Sequence, residues 1–185
     1  MDTCLAIFHG YLEYVVIITE ILGNLRDIKE TDIHIDSINI EWFNTRKRIA
    51  RYTSQSGIDI ALKFEKPLTI GLNHGDIVFR DERSIIAISI LPTHILNIYA
   101  KTELDIARLC YEIGNYHLPL FLGENAFHFR TPFELPLQRV LDRYNIFYKE
   151  EEGILDSKDR LQASLIIPEP SLKIANDFKV IVNSK

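Results

Sequence analysis

No phosphate-binding loop, nucleophile elbow, zinc-protease helix or dinucleotide fingerprint occurs in these 185 residues. Without a Gly-rich strand-to-helix junction and a Lys to meet phosphate charge, nucleotide chemistry has no local basis. Thiols are equally scarce: only Cys4 and Cys110 are present, 106 residues apart, so no disulfide framework, zinc knuckle or redox pair is encoded. Positive charge is not in excess either. A formal net charge of -5 argues against a polyanion groove, because nucleic-acid binding needs clustered cations to release counterions. The one compact basic cluster, Arg46, Lys47, Arg48 and Arg51, reads as a local docking patch or as an exposed strand or turn. The apolar stretch from Leu5 to Ile18 is interrupted by His9 and Glu13 and is too short for a membrane span. With no basic leader and no Ala-x-Ala-like cleavage region, the chain is expected in the cytoplasm, with no membrane and no nucleic acid among its partners.

What is present is the composition of a folded protein. A hydrophobic fraction of 46% against 25% charged excludes disorder as the dominant state. A chain of this length buries roughly 70% of the surface its unfolded form exposes, enough for one core or two small ones. Residues 1–16 are expected to be an N-terminal extension, disordered or arising from a start site placed ahead of Val15 or Val16. Residues 17–91 are expected to form an all-β domain, and residues 92–185, beyond the change of pattern at Pro92, an α+β domain.

In the first part, residues 32–40 alternate so as to place Ile33 and Ile35 on one side of a strand and Asp32, His34 and Asp36 on the other. Ser37 then shifts the alternation, which assigns Ile38 and Ile40 to a bulge, a turn or a following strand. Further strands are predicted over Ile58 to Phe64, Ile77 to Phe79 and Ser84 to Leu91, separated by turn-forming Gly, Asn and Asp.

In the second part, Ile95 to Ala100 reads as a strand and Thr102 as the cap of a helix. Ile106, Cys110, Ile113 and His117 recur at steps of four, three and four, so one stripe carries all four. Phe121 to Arg130 alternates as a strand or hairpin. Pro132 is expected to open a second helix, with Phe133, Leu137, Val140, Leu141 and Tyr144 as its apolar surface. Lys149 to Asp156 is too acidic for a core, and strand character returns at Leu161 to Ile167 and Phe178 to Val182. The order strand, helix, two strands, helix, strand predicts a small α+β sandwich.

Several side chains are candidates for metal chemistry, each with a plain structural alternative. His117 ends the helical stripe where a second subunit can approach, and is either a packed, hydrogen-bonded histidine or a ligand for nickel, copper or zinc. Cys110 is a soft donor whose place on the stripe predicts a buried thiol; Glu112 is expected to face solvent. Asp32, His34 and Asp36 read as solvated strand surface, since i and i+4 on a strand stand about 13 Å apart. His128 lies between Phe127 and Phe129, and alternation sends it to the other face with Arg130, in a surface or hydrogen-bonded role. His9 and His74 have no specific partner in the sequence.

Four passages, Gly23-Asn24-Leu25-Arg26, Leu72-x-x-Gly75-Asp76, Cys110-Tyr111-Glu112-Ile113-Gly114-Asn115-Tyr116-His117 and Asp177-Phe178-Lys179-Val180, together resemble the urease accessory protein UreE family, particularly its epsilonproteobacterial members. The resemblance runs from about Ile17 to Val182. It implies an N-terminal all-β domain, a ferredoxin-like C-terminal domain and a homodimer joined through the latter. It also implies a metallochaperone, not an enzyme, that binds nickel(II) as cargo and passes it to urease in company with the GTPase UreG; zinc or copper are expected competitors in vitro. The family's interfacial histidine maps onto His117, at the end of Gly114-Asn115-Tyr116-His117, with Tyr116 standing where Arg is frequent. No histidine follows His128, so the tail ligands of other members are missing and a lower nickel capacity is expected. Against this stands a nonmetallic adaptor that uses the basic Arg46 to Arg51 region or the acidic Lys149 to Asp156 segment for protein contacts.

Overall fold

Short alternating runs of β-branched residues build the first half of the chain into two stacked sheets in the computed structural model, which describes residues 4–8, 11–29 and 32–162. The strands are β1 (Cys4–Phe8), β2 (Tyr11–Ile18), β3 (Gly23–Asn24), β4 (His34–Ile40), β5 (Ile49–Thr53), β6 (Asp59–Lys63), β7 (Asp76–Arg80) and β8 (Ser84–Ile90). One sheet has the order β1-β2-β6-β5 and the other β3-β7-β8-β4. Ile38, Ile40, Ile60, Leu62, Ile86, Ile88 and Ile90 fill the space between them, which is what makes the pair stable.

The inner face of β4 differs from the one its alternation suggests. Asp36, Ile38 and Ile40 point inward, while Ile35 is 53% exposed. The expected bulge, turn or new strand at Ser37 does not form: β4 runs parallel to β8 in unbroken register from His34 opposite Ser84 to Ile40 opposite Ile90. Unbroken pairing keeps the side-chain period at two, so Asp36 must share the buried face with Ile38. Its carboxylate is accommodated there by the backbone N–H groups of Ser37 (2.7 Å) and Ser56 (3.1 Å).

The second half contains β9 (Thr93–Tyr99), α1 (Glu103–Asn115), β10 (Phe121–Leu122), β11 (His128–Pro132), α2 (Leu135–Tyr144) and β12 (Phe147–Gly153). The sheet order β10-β11-β9-β12, antiparallel throughout, is the ferredoxin-like arrangement. Leu96, Ile98, Leu109, Ile113, Leu137 and Leu141 form the core between the helices and the sheet. Pro132 closes β11 and does not open α2, because the chain stays extended through Phe133, whose N–H donates to the His94 carbonyl at 2.9 Å. Pro136 takes the first helical turn instead, where its missing N–H costs nothing.

The closing strand is the acidic one. Residues 147–153 pair along their whole length with β9, and as an edge strand β12 turns Glu150, Glu151 and Glu152 to solvent. Of the strands expected at Leu161 to Ile167 and Phe178 to Val182, Leu161 and Gln162 lie outside any named strand, and the rest fall outside the described residues. Among the described residues no helix is long and apolar enough to cross a membrane.

Residues 154–162 fasten the two halves together. Leu155 packs with Ile95, Phe121 and Trp42, and the rings of Trp42 and Phe121 meet edge-on at 6.0 Å. The Asp156 carboxylate accepts the His74 N–H at 3.2 Å. The Ser157 hydroxyl, buried, hydrogen-bonds that of Thr45 at 2.9 Å.

Candidate metal centre

The position of His117 is set by how α1 begins and ends. At its start the Thr102 hydroxyl accepts the Asp105 N–H at 3.1 Å while the Asp105 carboxylate accepts those of Thr102 and Lys101 at 3.0 and 3.1 Å, a reciprocal capping box that fixes the first turn. At its end the His117 N–H donates to the Gly114 carbonyl at 3.1 Å and the Leu118 N–H to that of Ile113 at 3.0 Å. These two bonds make a Schellman turn, whose pivotal residue adopts the left-handed conformation and is usually Gly. Here the pivot is His117, with φ 55°. An L side chain costs on the order of 1 kcal/mol there relative to glycine. The matching turn after α2 uses Asn145, φ 52°, a residue that tolerates this region well.

The turn carries the imidazole of His117 to the surface, on the rim of a cleft of about 460 Å³. The stripe of Ile106, Cys110, Ile113 and His117 lies along the boundary between core and solvent: Ile113 is buried, Ile106 half-buried, and Cys110 and His117 are exposed. The expected burial of Cys110 is therefore corrected. The true buried line of α1 runs through Leu109 and Ile113, which turns Cys110 toward the cleft, where desolvation still pushes its thiol above the ordinary value. Glu112 is half-buried and only partly faces solvent, accepting the Tyr144 hydroxyl at 3.1 Å.

Besides His117 the cleft is lined by Arg46 from the turn before β5 and by Arg160, Leu161 and Gln162 from the fastening segment. Neither arginine was marked by its sequence context as belonging with His117. The three meet only because residues 154–162 cross from one half of the molecule to the other. Lys47, Arg48 and Arg51 do not join Arg46 in the cleft lining, and Arg48 donates instead to the Glu65 carbonyl at 3.1 Å.

The other candidates are dispersed. His128 is buried, stacked on Tyr99 and hydrogen-bonded to Asn97, the satisfied role its alternation allowed. Asp32 and His34 are exposed, whereas Asp36 is only 5% exposed, and its reading as solvated surface is corrected. Burial alone pushes the Asp36 carboxyl up, but hydrogen bonds from Ser54, Ser37 and Ser56 outweigh it and hold it below the ordinary value. His74 accepts the Ile90 N–H at 3.2 Å. His9 lies outside the described residues. His94, which no sequence pattern singled out, pairs with Glu150 at 3.0 Å and stacks on Phe133.

Among the described residues no three His, Cys, Asp or Glu side chains converge on a point that could hold a metal ion. One copy therefore offers the cleft an exposed imidazole and a nearby thiol, chemistry suited to nickel, copper or zinc but short of a full coordination shell. An ion bound here would take its remaining donors from outside this set of residues.

A model of the UreE urease accessory protein N-terminal domain matches residues 18–91, and one of the UreE C-terminal domain matches residues 93–156. The urease accessory protein UreE of Helicobacter pylori strain J99 is 43% identical over 169 residues, covering 90% of this chain and 99% of its own. This chain belongs to the UreE urease accessory protein family. The UreE proteins of Helicobacter acinonychis, 43% identical over 169 residues with the same coverage, and of Helicobacter hepaticus, 43% identical over 91% of this chain and 97% of its own, agree. The UreE N-terminal match runs from the last residue of β2 through β8, six of the eight strands of the two stacked sheets, and the C-terminal match spans β9 to β12. His117 thus belongs to the UreE C-terminal domain, and Arg46 to the N-terminal one.

Proposed function

We propose that this UreE protein is a nickel carrier for urease metallocentre assembly, working in the cytoplasm as an accessory protein and not as an enzyme. His117 is the ligand this reading rests on. The observation that carries it is an exposed imidazole at a left-handed helix-ending position where glycine is the cheaper residue. A residue kept in a conformation that costs free energy is supported by what its side chain does, and among the described residues this side chain makes no hydrogen bond or ion pair that glycine would lose.

A homodimer completes the shell. Leu104 and Tyr111, 57% and 69% exposed, lie with Ala107 and Gly114 on one face of α1 adjoining His117. Two copies related by a two-fold axis through this face bring two imidazoles to one ion, leaving water or a recipient's donor to fill the remaining positions. Few protein ligands keep the ion exchangeable, which delivery requires. Zinc and copper compete for such a nitrogen site, so the preference for nickel comes from the urease context and the GTPase partner UreG. The division of labour follows the chain: an extension over residues 1–16 whose described parts add β1 and most of β2 to the first sheet, a β domain over 17–91 and a metal-binding, dimerising domain over 92–185.

Calorimetric nickel titration of the protein and of His117→Ala tests the proposal. Loss of tight nickel binding in the variant is expected; unchanged stoichiometry and affinity would remove His117 from the site. Capture of urease assembly partners that survives both metal removal and this substitution would instead favour a nonmetallic adaptor.

A further inference from the structure

The cleft beside His117 carries more positive charge than a cation site should. Arg46 Nη2 donates to Gln162 Oε1 at 2.6 Å and its Nε to the Ile70 carbonyl at 3.2 Å. Both acceptors are neutral, so among the described residues no carboxylate is hydrogen-bonded to this guanidinium. Arg160, half-buried on the same wall, is close enough to Arg46 that burial first and this second guanidinium next hold it below its ordinary value. The acidic side chains around it are engaged elsewhere. Asp159 pairs with Arg130 at 3.2 Å and Asp156 with Lys158 at 3.3 Å. Among the described residues no carboxylate lines the cleft.

Two like charges facing one half-enclosed space repel each other, and together they repel an incoming metal cation. A small anion between them reverses both effects. Guanidinium groups present planar forks of N–H donors that match the oxygens of a carboxylate, sulfate or phosphate, and the cleft volume of about 460 Å³ is ample for such a molecule.

We propose that the His117 cleft is also an oxyanion site, in which Arg46 and Arg160 grip a small oxyanion that faces the imidazole. The anion site stands on the two arginines, while its coupling to a metal rests on the reading of His117 as a ligand. With both present, the anion cancels the local positive charge and offers an oxygen donor to the ion, so each strengthens the binding of the other. Departure of the anion then loosens the metal. Because the arginines come from the two halves of the molecule, the grip also depends on the fastening of residues 154–162.

The test uses sulfate, which leaves nickel in solution, on the full chain. Sulfate is titrated into metal-free protein, Arg46→Gln, Arg160→Gln and Arg160→Lys; nickel is then titrated with and without sulfate, and into His117→Ala. The inference expects the glutamine variants to bind sulfate about tenfold more weakly, the loss of one charge-assisted interaction. Arg160→Lys should recover part of that loss, and sulfate should tighten nickel binding several-fold in the unsubstituted protein only. Equal sulfate affinity in the protein and both glutamine variants, with thermal melting showing all of them folded, overturns the anion site even if nickel binding still depends on His117. Arginine-dependent sulfate binding together with nickel binding indifferent to His117→Ala leaves the anion site standing and removes its coupling to that residue.

Discussion

The imidazole of His128 lies flat against the ring of Tyr99, with 4.6 Å between centroids and 11° between planes. Its Nδ1 accepts the Glu124 N–H at 3.0 Å, and its Nε2–H donates to the Asn97 side-chain oxygen. A proton on Nδ1 would face that backbone N–H donor head-on. Burial, then the Arg130 charge, hold the imidazole below its ordinary value, with Glu124 and Glu151 acting in the opposite sense. Gly123 makes room for the ring, since a Cβ there would fall 2.2 Å from it.

This predicts an acid-sensitive fold. Because the unfolded state takes up the proton more readily, the contribution of His128 is fully present above the unfolded value of about 6.5 and is lost as pH falls from there through the folded value. Urea denaturation of metal-free protein should give lower stability at about pH 5.5 than at about pH 7.5. In His128→Gln the dependence should be shallower; an identical slope would show that another group is responsible.

His117 separates strain from function. Replacing it by glycine relieves the positive φ but gives the unfolded chain more freedom, so His117→Gly should be as stable as the parent or more so by up to about 1 kcal/mol. Nickel affinity should nevertheless fall as far as in His117→Ala. Chemical denaturation and calorimetry on the same samples decide the point. A glycine variant that unfolds easily would mean that the imidazole serves the fold.

The junction between the two halves is tight at Gly71, where φ is +111° and a Cβ would sit 2.8 Å from the Ser157 hydroxyl and 3.1 Å from that of Thr45. Gly71→Ala should cost about 2 kcal/mol through backbone strain and lost packing. Ser157→Gly in the same chain should return part of it by opening space, although it also sacrifices the bond to Thr45. Strict additivity of the two changes in denaturation experiments would contradict a direct contact.

Tyr111 tests the dimer. It is 69% exposed, so Tyr111→Glu should change the stability of a single copy by no more than about 0.5 kcal/mol. Two glutamates facing each other across a two-fold axis should still hold the copies apart. Light scattering at matched concentration is expected to give the mass of one chain for the variant and of two for the parent. A variant that stays dimeric would move the interface away from this face of α1.

Much of the second half was legible because its signals are local. The cap at Thr102, the alternation around β11 and the helical period of Leu137, Val140 and Leu141 each operate within a few residues, and they yield the order strand, helix, two strands, helix; the ferredoxin-like form was implied by the family resemblance. β12 escaped notice since an edge strand is held by backbone bonds to β9 and can carry three consecutive glutamates on its way. The inward turn of Asp36 escaped for the converse reason. Its partners, Ser54 and Ser56, arrive from a distant turn.

Local periodicity in the sequence thus determined both helices and most of the strands, though not β12, and delivered His117 to the end of α1. Tertiary structure alone decided what surrounds that histidine. The cleft is assembled from the turn at Arg46, the end of α1 and the crossing segment at Arg160, and electrostatics and desolvation depend on distances in space that residue spacing along the chain does not encode.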